Sequence, residues 1–280
     1  MSTPSSLART RRTVLPEIDA MLGKVTLSLV RKGLDSTGGL FVLGICGAQG
    51  SGKSTFAAWL QARLASEGVA TAVLSLDDLY LTRTERQKMA REVHPLFATR
   101  GVPGTHDVAL GMRIIDQLAK GNPARLSRFD KARDDRSAPE SWPTAPANCQ
   151  VLLLEGWCVG AVAQPEQELA LPVNALESAD DTEGIWRRHV NACLAGDYQR
   201  LFTRIDALVM LAAPSFAVVS QWRMQQERDL PPGPGVMDEL AISHFIQFYQ
   251  RLTEWILREM PVRADLVVRL DEHRKVKSLT

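Results

Sequence analysis

The sequence has no long apolar run, since none approaches the roughly 18 residues that a membrane-spanning helix requires. It also has no large excess of charge, because 33 Lys and Arg residues are balanced by 32 Asp and Glu residues, which gives a formal net charge of +1. Proteins that bind nucleic acids usually carry a strong basic excess or a basic stripe. The sequence therefore predicts neither a membrane nor a nucleic acid as a partner.

Cysteine is scarce, and its spacing matches no metal site. The chain contains four cysteines: Cys46, Cys149, Cys158 and Cys193. They form no C-x-x-C pair, and free thiols in a reducing compartment are the simplest interpretation. A secretory apolar segment is also missing. We therefore predict a cytoplasmic protein.

Short apolar runs alternate with helical patterns along the chain. The runs predicted to be buried strands lie at 40–46, 70–76, 151–154, 207–212 and 266–270. The helical patterns lie at about 53–66, 107–120, 215–229 and 238–259. This alternation predicts an α/β fold, a three-layer sandwich in which helices cover both faces of a mainly parallel sheet. Ligands of such sheets bind outside the carboxyl ends of the strands.

The chain is predicted to form one domain with an addition at its N-terminus. A length of 280 residues allows one large domain or two small ones, and no repeat or linker divides it. The first 13 residues are rich in Ser and Arg and contain no acid. They fit either a transit peptide or an irregular terminus that leads into a helix at about 15–32. We predict a helical extension over 1–36 and a single domain over 37–280.

A glycine-rich segment, GAQGSGKST, follows the first predicted strand and precedes a predicted helix. It matches G-x-x-x-x-G-K-[ST], the P-loop that cradles nucleoside triphosphates with backbone N–H groups. Lys53 would reach the β- and γ-phosphates, and Ser54 would ligate Mg²⁺. The alternative is a flexible glycine turn without a ligand. The predicted nucleotide-binding residues are Gly47, Ala48, Gln49, Gly50, Ser51, Gly52, Lys53, Ser54 and Thr55.

Two classes of P-loop protein lack their signatures in this sequence. GTPases read guanine with an N-K-x-D segment and ABC ATPases carry LSGGQ, and neither occurs here. Acidic residues instead follow two predicted strands. Asp77 can orient Mg²⁺ or accept a proton from a substrate hydroxyl, while Asp78 could equally cap a turn. Glu155 closes the strand VLLLE and can hold Mg²⁺, unless it caps the loop.

Five segments in this order carry a resemblance to a known family: GAQGSGKST, SLDDLYLT, RGVPGTHD, FDKARDDR and LLLEGW. They resemble the P-loop small-molecule kinases related to uridine kinase, phosphoribulokinase and pantothenate kinase, and in particular the D-glycerate 3-kinase family. The resemblance covers about residues 40–273. It implies the P-loop NTPase fold with a helical lid, ATP and Mg²⁺ as cofactors, transfer of the γ-phosphate to D-glycerate, and Asp77 as general base. LYLT and ARDDR depart from the family pattern, which bears on the acceptor.

A carboxylate acceptor requires cations or backbone donors to hold it. We predict that the small hydroxylated acid contacts Asp77, Tyr80, Arg100, His106, Lys131 and Arg136. His106 could instead make a structural hydrogen bond. Lys131 and Arg136, with Arg133 beside them, could instead form a solvated charge run.

A lid arginine is predicted on the helix at 215–229, where arginines of similar kinases neutralise the transferring phosphoryl group. Arg223 is the preferred candidate over Arg228, and surface charge is the alternative.

The catalytic set is therefore Asp77, Lys53 and Arg223, and the metal set is Ser54, Glu155 and Asp77. The nearby aromatic side chains, Trp222, Phe245, Phe248, Tyr249 and Trp255, are predicted to pack in the core.

Other functions stay open at the level of sequence. Pantothenate or a nucleoside such as uridine could be the acceptor. The chain could also be a regulatory protein that binds ATP without transferring phosphate. A nucleic-acid-associated ATPase is disfavoured by the balanced charge. The sequence makes no prediction of the oligomeric state.

Overall fold

A six-stranded sheet forms the centre of the structure, a computed structural model that describes residues 18–228 and 238–280. The described strands are β1 (Phe41–Gly47), β2 (Thr71–Ser75), β3 (Phe129–Asp130), β4 (Asp135–Arg136), β5 (Val151–Gly156), β6 (Ala207–Ala212), β7 (Leu266–Leu270) and β8 (Val276–Leu279). The sheet has the order β2-β5-β1-β6-β7-β8, and β3 pairs with β4 in a separate hairpin. Only β8 runs antiparallel within the sheet. The predicted three-layer α/β sandwich with a mainly parallel sheet is confirmed.

The central strands are apolar because helices cover both of their faces. Every residue of β1, β5 and β6 is buried. The predicted strands at 207–212 and 266–270 match β6 and β7 at both ends. The sequence analysis missed β8, since VKSL is a partly exposed edge strand without an apolar run.

The described helices flank this sheet. They are α1 (Ala20–Thr37), α2 (Lys53–Ser66), α3 (Arg83–Glu92), α4 (Val108–Ala119), α5 (Ala175–Asp180), α6 (Ile185–Cys193), α7 (Gln199–Phe202), α8 (Phe216–Arg228) and α9 (Glu239–Glu259). The prediction for α2 was correct at both ends, and those for α4, α8 and α9 were correct to within one residue at every described end. Residue 229 lies outside the described residues.

The predicted helix at 15–32 was wrong at both ends. Residues 15–17 lie outside the described residues, and the helix begins at Ala20 because the Asp19 carboxylate accepts a hydrogen bond from the Leu22 N–H at 2.9 Å. It continues to Thr37 and ends at Gly38, which has a φ of 61°. Glycine adopts this left-handed conformation without strain, so it ends helices readily. The domain boundary at residue 36 stays a prediction, although buried side chains of α1 belong to the main core.

The order of the strands decides which acid lies beside the glycine-rich segment. β2 and β1 are not neighbours, because β5 lies between them. Ile45 of β1 pairs with Glu155 of β5, and Ser75 of β2 pairs with Glu155 from the other side. Glu155 is therefore the acid beside the glycine-rich segment, and the acids after β2 lie one strand further away.

Candidate active site

The segment after β1 presents backbone rather than side chains. Gly50 and Gly52 have φ values of 74° and 89°, which side chains other than glycine rarely adopt. A Cβ atom at Gly50 would also lie 2.7 Å from Cβ of Trp222 on α8. No side chain of the described residues caps the start of α2 at Lys53. The first N–H groups of this helix are thus available to an anion, as P-loop binding of phosphate requires.

Ser54 and Glu155 meet where α2 begins. The Ser54 hydroxyl donates a hydrogen bond to Oε1 of Glu155 at 2.9 Å. Glu155 is buried, and its other oxygen, Oε2, has no hydrogen-bond partner among the described residues. An unpaired buried carboxylate oxygen is costly. A hydroxyl and a carboxylate with an open oxygen fit Mg²⁺, which is commonly held by one or two protein groups together with substrate phosphates.

Asp77 follows β2 in a short 3₁₀ turn, Leu76–Leu79. Its Oδ1 accepts a hydrogen bond from the Tyr80 hydroxyl at 2.9 Å, and its Oδ2 accepts one from Nζ of Lys131 at 2.7 Å. Burial by itself raises the pKa of Asp77, but the charges of Lys131 and Lys53 outweigh this and, with the two hydrogen bonds, hold the pKa below its usual range. Asp77 is therefore a carboxylate at neutral pH.

Asp78 lies beside Asp77 and has a different role. Its Oδ1 accepts from the Phe129 N–H at 3.0 Å, and its Oδ2 accepts from Arg128 at 3.1 Å. These contacts attach the β3–β4 hairpin to the turn after β2. Burial raises the pKa of Asp78, although the hydrogen bond from Phe129 opposes this. Both contacts of Asp78 are structural, but they hold the hairpin and do not cap the turn, as the alternative had supposed.

The ring of His106 packs against the ring of Tyr80. The two rings stack with centroids 4.6 Å apart, and Nδ1 of His106 lies 2.5 Å from the Tyr198 hydroxyl. Burial lowers the pKa of His106 to about 3, although the charge of Asp77 opposes this. His106 is therefore neutral at physiological pH.

Burial, and next the charge of Asp77, raise the pKa of Tyr80 well above its usual value. Its hydroxyl thus stays protonated and donates to the carboxylate. His106 was expected to contact the acceptor, but it lies outside the cavity lining and supports Tyr80 instead.

Arg136 also lies outside the cavity lining. Its Nη2 donates to the Tyr80 carbonyl oxygen at 3.0 Å, and its Nη1 lies 3.3 Å from Oδ2 of Asp107. Asp107 caps α4 by accepting from the Leu110 N–H at 2.8 Å. Arg136 therefore connects the hairpin, the turn after β2 and the start of α4, and both of its polar contacts are structural.

A cavity of about 310 Å³ lies at the carboxyl ends of β1, β2 and β5. It brings together the greater part of the predicted site. The predicted residues that line it are Gln49, Gly50, Lys53, Ser54, Asp77, Tyr80, Arg100, Lys131, Glu155 and Arg223. A pocket of this size is at the small end of the usual range for ligand sites, roughly 300–1,000 Å³.

Aromatic side chains form a wall that the sequence analysis missed. Tyr249 belongs to the core and Phe245 packs against it, as predicted, and both also line the cavity together with Trp157. The Trp157 indole N–H donates to the Gly101 carbonyl oxygen at 2.8 Å, and its ring contacts that of Tyr249 with centroids 4.9 Å apart. The spacing of Phe245 and Tyr249, one helical turn apart, is the signal that could have placed them on one face.

The loop before α4 approaches this wall closely. Gly101 has a φ of 138°, and a Cβ atom there would lie 2.1 Å from the Tyr249 hydroxyl oxygen. The same hydroxyl donates to the Arg100 carbonyl oxygen at 3.3 Å. Glycine at this position lets the aromatic wall support the backbone that carries Arg100.

The two lid arginines differ in position. Arg223 lines the cavity, where its guanidinium lies 5.8 Å from the centre of the Phe245 ring. Its Nη2 lies 2.6 Å from Oε2 of Glu227 on the same helix. Arg228 instead pairs with Glu239 at 2.7 Å on the exposed surface. The geometry therefore favours Arg223 as the phosphate-facing arginine.

Arg274, in the turn between β7 and β8, is a further residue that the sequence analysis missed. Its Nε donates to the Gly50 carbonyl oxygen at 2.6 Å, and its Nη1 donates to Oε1 of Gln225 at 2.9 Å. Its guanidinium also lies 5.2 Å from the centre of the Trp222 ring. Arg274 therefore connects the glycine-rich segment to α8. No local pattern marks it, because its partners are distant in the sequence.

Within the described ranges, no helix has both the length and the apolar composition needed to cross a bilayer. A group of three or more His, Cys, Asp or Glu side chains able to hold a metal is likewise absent from the part of the chain that the structure describes.

Comparison with known proteins agrees with this geometry. The model of the phosphoribulokinase / uridine kinase family matches residues 42–187. "Uncharacterized kinase mug58" of Schizosaccharomyces pombe is 34% identical over 249 residues, which cover 84% of this chain and 87% of the relative. "D-glycerate 3-kinase, chloroplastic" of Arabidopsis thaliana is 28% identical over 253 residues, which cover 83% of this chain and 53% of the relative. The chain therefore matches about half the length of the plant protein.

A solved structure shows the same fold. D-glycerate 3-kinase from Cryptococcus neoformans var. grubii superposes with a TM-score of 0.78 at 23% identity, covering 94% of this chain and 99% of that one. The P-loop, the acids after β2 and β5 and the matching family model agree with one another. The chain belongs to the phosphoribulokinase / uridine kinase family of kinases.

Proposed function

We propose that this protein is an ATP- and Mg²⁺-dependent kinase that transfers the γ-phosphoryl group to a hydroxyl of a small acid. D-glycerate, which would become 3-phosphoglycerate, is the leading acceptor. The main support is that Lys53, the Ser54–Glu155 pair, Asp77 and the cations Arg100 and Lys131 all line one cavity. The plant relative named D-glycerate 3-kinase adds support for the acceptor.

The nucleotide would bind with its phosphates on the backbone N–H groups of residues 47–54 and on Lys53. Ser54 and Glu155 would hold Mg²⁺, which when bound neutralises charge on the β- and γ-phosphates. The open Oε2 of Glu155 is the observation that supports this pair. Asp77 was also predicted as a metal ligand, and this stays a prediction, because each of its oxygens accepts one hydrogen bond and keeps a second lone pair.

Asp77 would orient the acceptor hydroxyl and take its proton. Its pKa is held low mainly by Lys131 and Lys53 against the effect of burial, so it is ionised but weakly basic. A weak base is sufficient when the transition state is loose, because the hydroxyl then loses its proton late. Arg223 would face the equatorial oxygens of the phosphoryl group, where charge must be stabilised.

Cations in the cavity favour an acidic acceptor, since Arg100 and Lys131 line it together with Asp77. Pantothenate and uridine stay alternatives. A regulatory protein that binds ATP without transfer would have no need for Arg100 in the same cavity as Asp77. The proposed cytoplasmic location stays a prediction, since the name of the plant relative includes a chloroplast location.

A direct test is to incubate the protein with ATP, Mg²⁺ and a panel of hydroxylated metabolites, followed by mass spectrometry. We expect D-glycerate to gain one phosphate, at a rate that depends on Mg²⁺. Phosphorylation of pantothenate or uridine in place of D-glycerate would refute the acceptor but keep the kinase. Slow ATP hydrolysis without any transfer product would favour the regulatory alternative.

A further inference from the structure

Asp134, in the turn of the β3–β4 hairpin, joins two arginines from different parts of the chain. Its Oδ2 accepts a hydrogen bond from Nη2 of Arg86 at 2.5 Å, and its Oδ1 accepts one from Nη1 of Arg100. Asp134 has a φ of 54°, a left-handed conformation that Asp tolerates better than most residues. Each carboxylate oxygen therefore faces a different guanidinium.

Arg86 is an inner member of this cluster and cannot face a ligand. Its side chain is 0% exposed, and a buried charge is tolerated only when it is paired and hydrogen-bonded. Its Nη1 donates to the Leu81 carbonyl oxygen at 2.8 Å, and its Nη2 also approaches the Asp134 carbonyl oxygen at 3.1 Å. Asp134 is thus the counterion of Arg86 as well as a partner of Arg100.

The count of charges leaves an excess at Arg100. Among the described residues that line the cavity, Lys131 is paired with Asp77, and Arg223 is paired with Glu227. Arg100 instead shares the single carboxylate of Asp134 with Arg86. Within this hydrogen-bonded cluster two cations share one anion, and Arg100 is the member that lines the cavity. The charge of Asp135 also acts on Arg86, without a direct ion pair.

The Phe129 ring helps to keep Arg100 in place. The guanidinium groups of Arg86 and Arg100 lie 5.6 Å and 5.5 Å from its centre. Such cation–π contacts fix the plane of a guanidinium as well as its position. A guanidinium that is held in one position, and whose charge is only partly neutralised by its partner, can bind a carboxylate through two hydrogen bonds.

We infer that Asp134 is a positioning residue that fixes Arg100 to bind the carboxylate of the acceptor, which makes the enzyme select hydroxy acids over neutral polyols. This inference rests on the proposed function and names the part of the site that reads the acid group. Asp134 acts through Arg100 and does not itself contact the acceptor. A carboxylate near Arg100 would leave the distal hydroxyl free to reach Asp77.

The test compares three variants with the wild-type protein. Asp134→Asn removes the carboxylate and raises the net charge of the cluster by one. Arg86→Met with Asp134→Asn removes the buried pair as a whole and keeps the net charge at that of the wild type. This double variant also guards against unfolding, because replacing a whole buried ion pair is better tolerated than breaking it.

Asp135→Asn is the matched control. Asp135 lies next to Asp134 on the hairpin, but its Oδ1 accepts from the Arg83 N–H at 3.1 Å and from the Arg136 N–H at 2.8 Å. Its charge acts on Arg86 from a distance, so this variant makes the same change of charge near the cluster without removing a hydrogen bond to Arg86 or Arg100. Folding of each variant is checked by thermal unfolding. Steady-state kinetics with D-glycerate, glycerol and ATP give kcat and KM for each substrate.

We expect Asp134→Asn and the double variant to raise KM for D-glycerate about ten- to a hundredfold, the usual effect of weakening a charge-assisted contact. KM for ATP should stay within about twofold, and the preference for D-glycerate over glycerol should shrink. Asp135→Asn should behave as the wild type. If positive charge alone mattered, Asp134→Asn would instead bind D-glycerate more tightly, and the inference would be overturned.

The outcomes separate this inference from the proposed function. Unchanged KM for D-glycerate in the folded double variant refutes the role of Asp134, while the wild-type reaction still stands. If the wild type transfers phosphate to no hydroxy acid, the proposed function fails. Calorimetric binding of D-glycerate to the wild type and to the double variant then decides the inference alone. Equal affinity of the two proteins, or no binding by either, refutes it.

Discussion

The phosphate side of the cavity is built from the backbone of one short segment, whereas the acceptor side is assembled from side chains of distant elements. Residues 47–54 form the former, with Lys53 as its main charged side chain. On the acceptor side, Asp77 follows β2, Lys131 comes from the hairpin and Tyr249 comes from α9. The comparison shows that two halves of one site can differ in how far apart their parts lie in the sequence.

The two halves should therefore fail in different ways. Backbone donors are oriented by the φ and ψ angles of consecutive residues, so few single side chains matter there. The acceptor side depends on ion pairs such as Lys131–Asp77, in which each partner orients the other. Substitutions on the acceptor side should change acceptor use and leave ATP binding intact, and the reverse should hold on the phosphate side.

The largest effect is expected for Asp77→Asn. We predict that kcat falls by about 10²–10⁴, the usual contribution of a general base, while the affinity for ATP stays close to that of the wild type. Nucleotide binding by calorimetry and turnover by coupled assay measure the two quantities. Asp78→Asn is the control, because Asp78 contacts only the hairpin in the described structure, and its kcat should change by less than about tenfold. Near wild-type turnover of Asp77→Asn would remove Asp77 from this role.

Lys53→Ala tests the phosphate side of the cavity. We predict that ATP binding weakens and that kcat falls by about 10²–10³, since a charged donor to the transferring group is lost. The affinity for D-glycerate, measured without ATP, should not change. Lys88→Ala on the exposed side of α3 is the matched control, since Lys88 only approaches Glu92 at 3.9 Å. Unaltered ATP affinity in Lys53→Ala would contradict the phosphate-binding assignment.

Arg274→Ala sharpens the comparison from outside the cavity. Because Arg274 contacts both Gly50 and Gln225, we predict an increase of KM for ATP of about tenfold, which corresponds to about 1.4 kcal/mol and lies within the range for lost hydrogen bonds. KM for the acceptor should stay unchanged. Lys275→Ala, at the next position, is the control. A change in the KM of the acceptor alone would show that the turn between β7 and β8 supports the acceptor side of the cavity.

The last prediction concerns the dependence of stability on pH and not activity. Burial holds the pKa of His106 at about 3 in the folded protein, whereas an unfolded chain titrates near 6.5. The unfolded state therefore binds one more proton between these values, so stability is fully present above pH 6.5 and falls as the pH decreases toward 3.

The contribution of His106 is a slope of at most about 1.4 kcal/mol per pH unit. Chemical denaturation at several pH values should show a shallower slope for His106→Gln in this window. The pKa of Asp77 is lowered in the folded protein, so its contribution to stability is fully present above its unfolded pKa of about 3.9 and is lost as the pH falls below that value. An identical slope in both proteins between pH 3 and 6.5 would contradict a buried neutral His106.

Several parts of the structure could be predicted because each depends on neighbouring residues. The P-loop, the start of α2 at Lys53 and the acids that close two strands are all local patterns. His106 and Arg136 could not be placed, because the pattern shows their charge but not the direction of their side chains. The sequence also did not indicate that Tyr249 lines the cavity, because buried aromatic residues on a helix usually belong to a core.

The sequence by itself determined where the phosphates would bind and which strand ends carry acids. The physical reason is that φ and ψ angles, helix starts and strand burial follow from residues close together in the chain. Only the tertiary structure decided that Glu155 lies beside the P-loop, that Arg100 lines the cavity while Arg136 does not, and that Arg274 contacts Gly50. These pairings depend on the order of the strands and on the packing of distant segments, which local patterns do not contain.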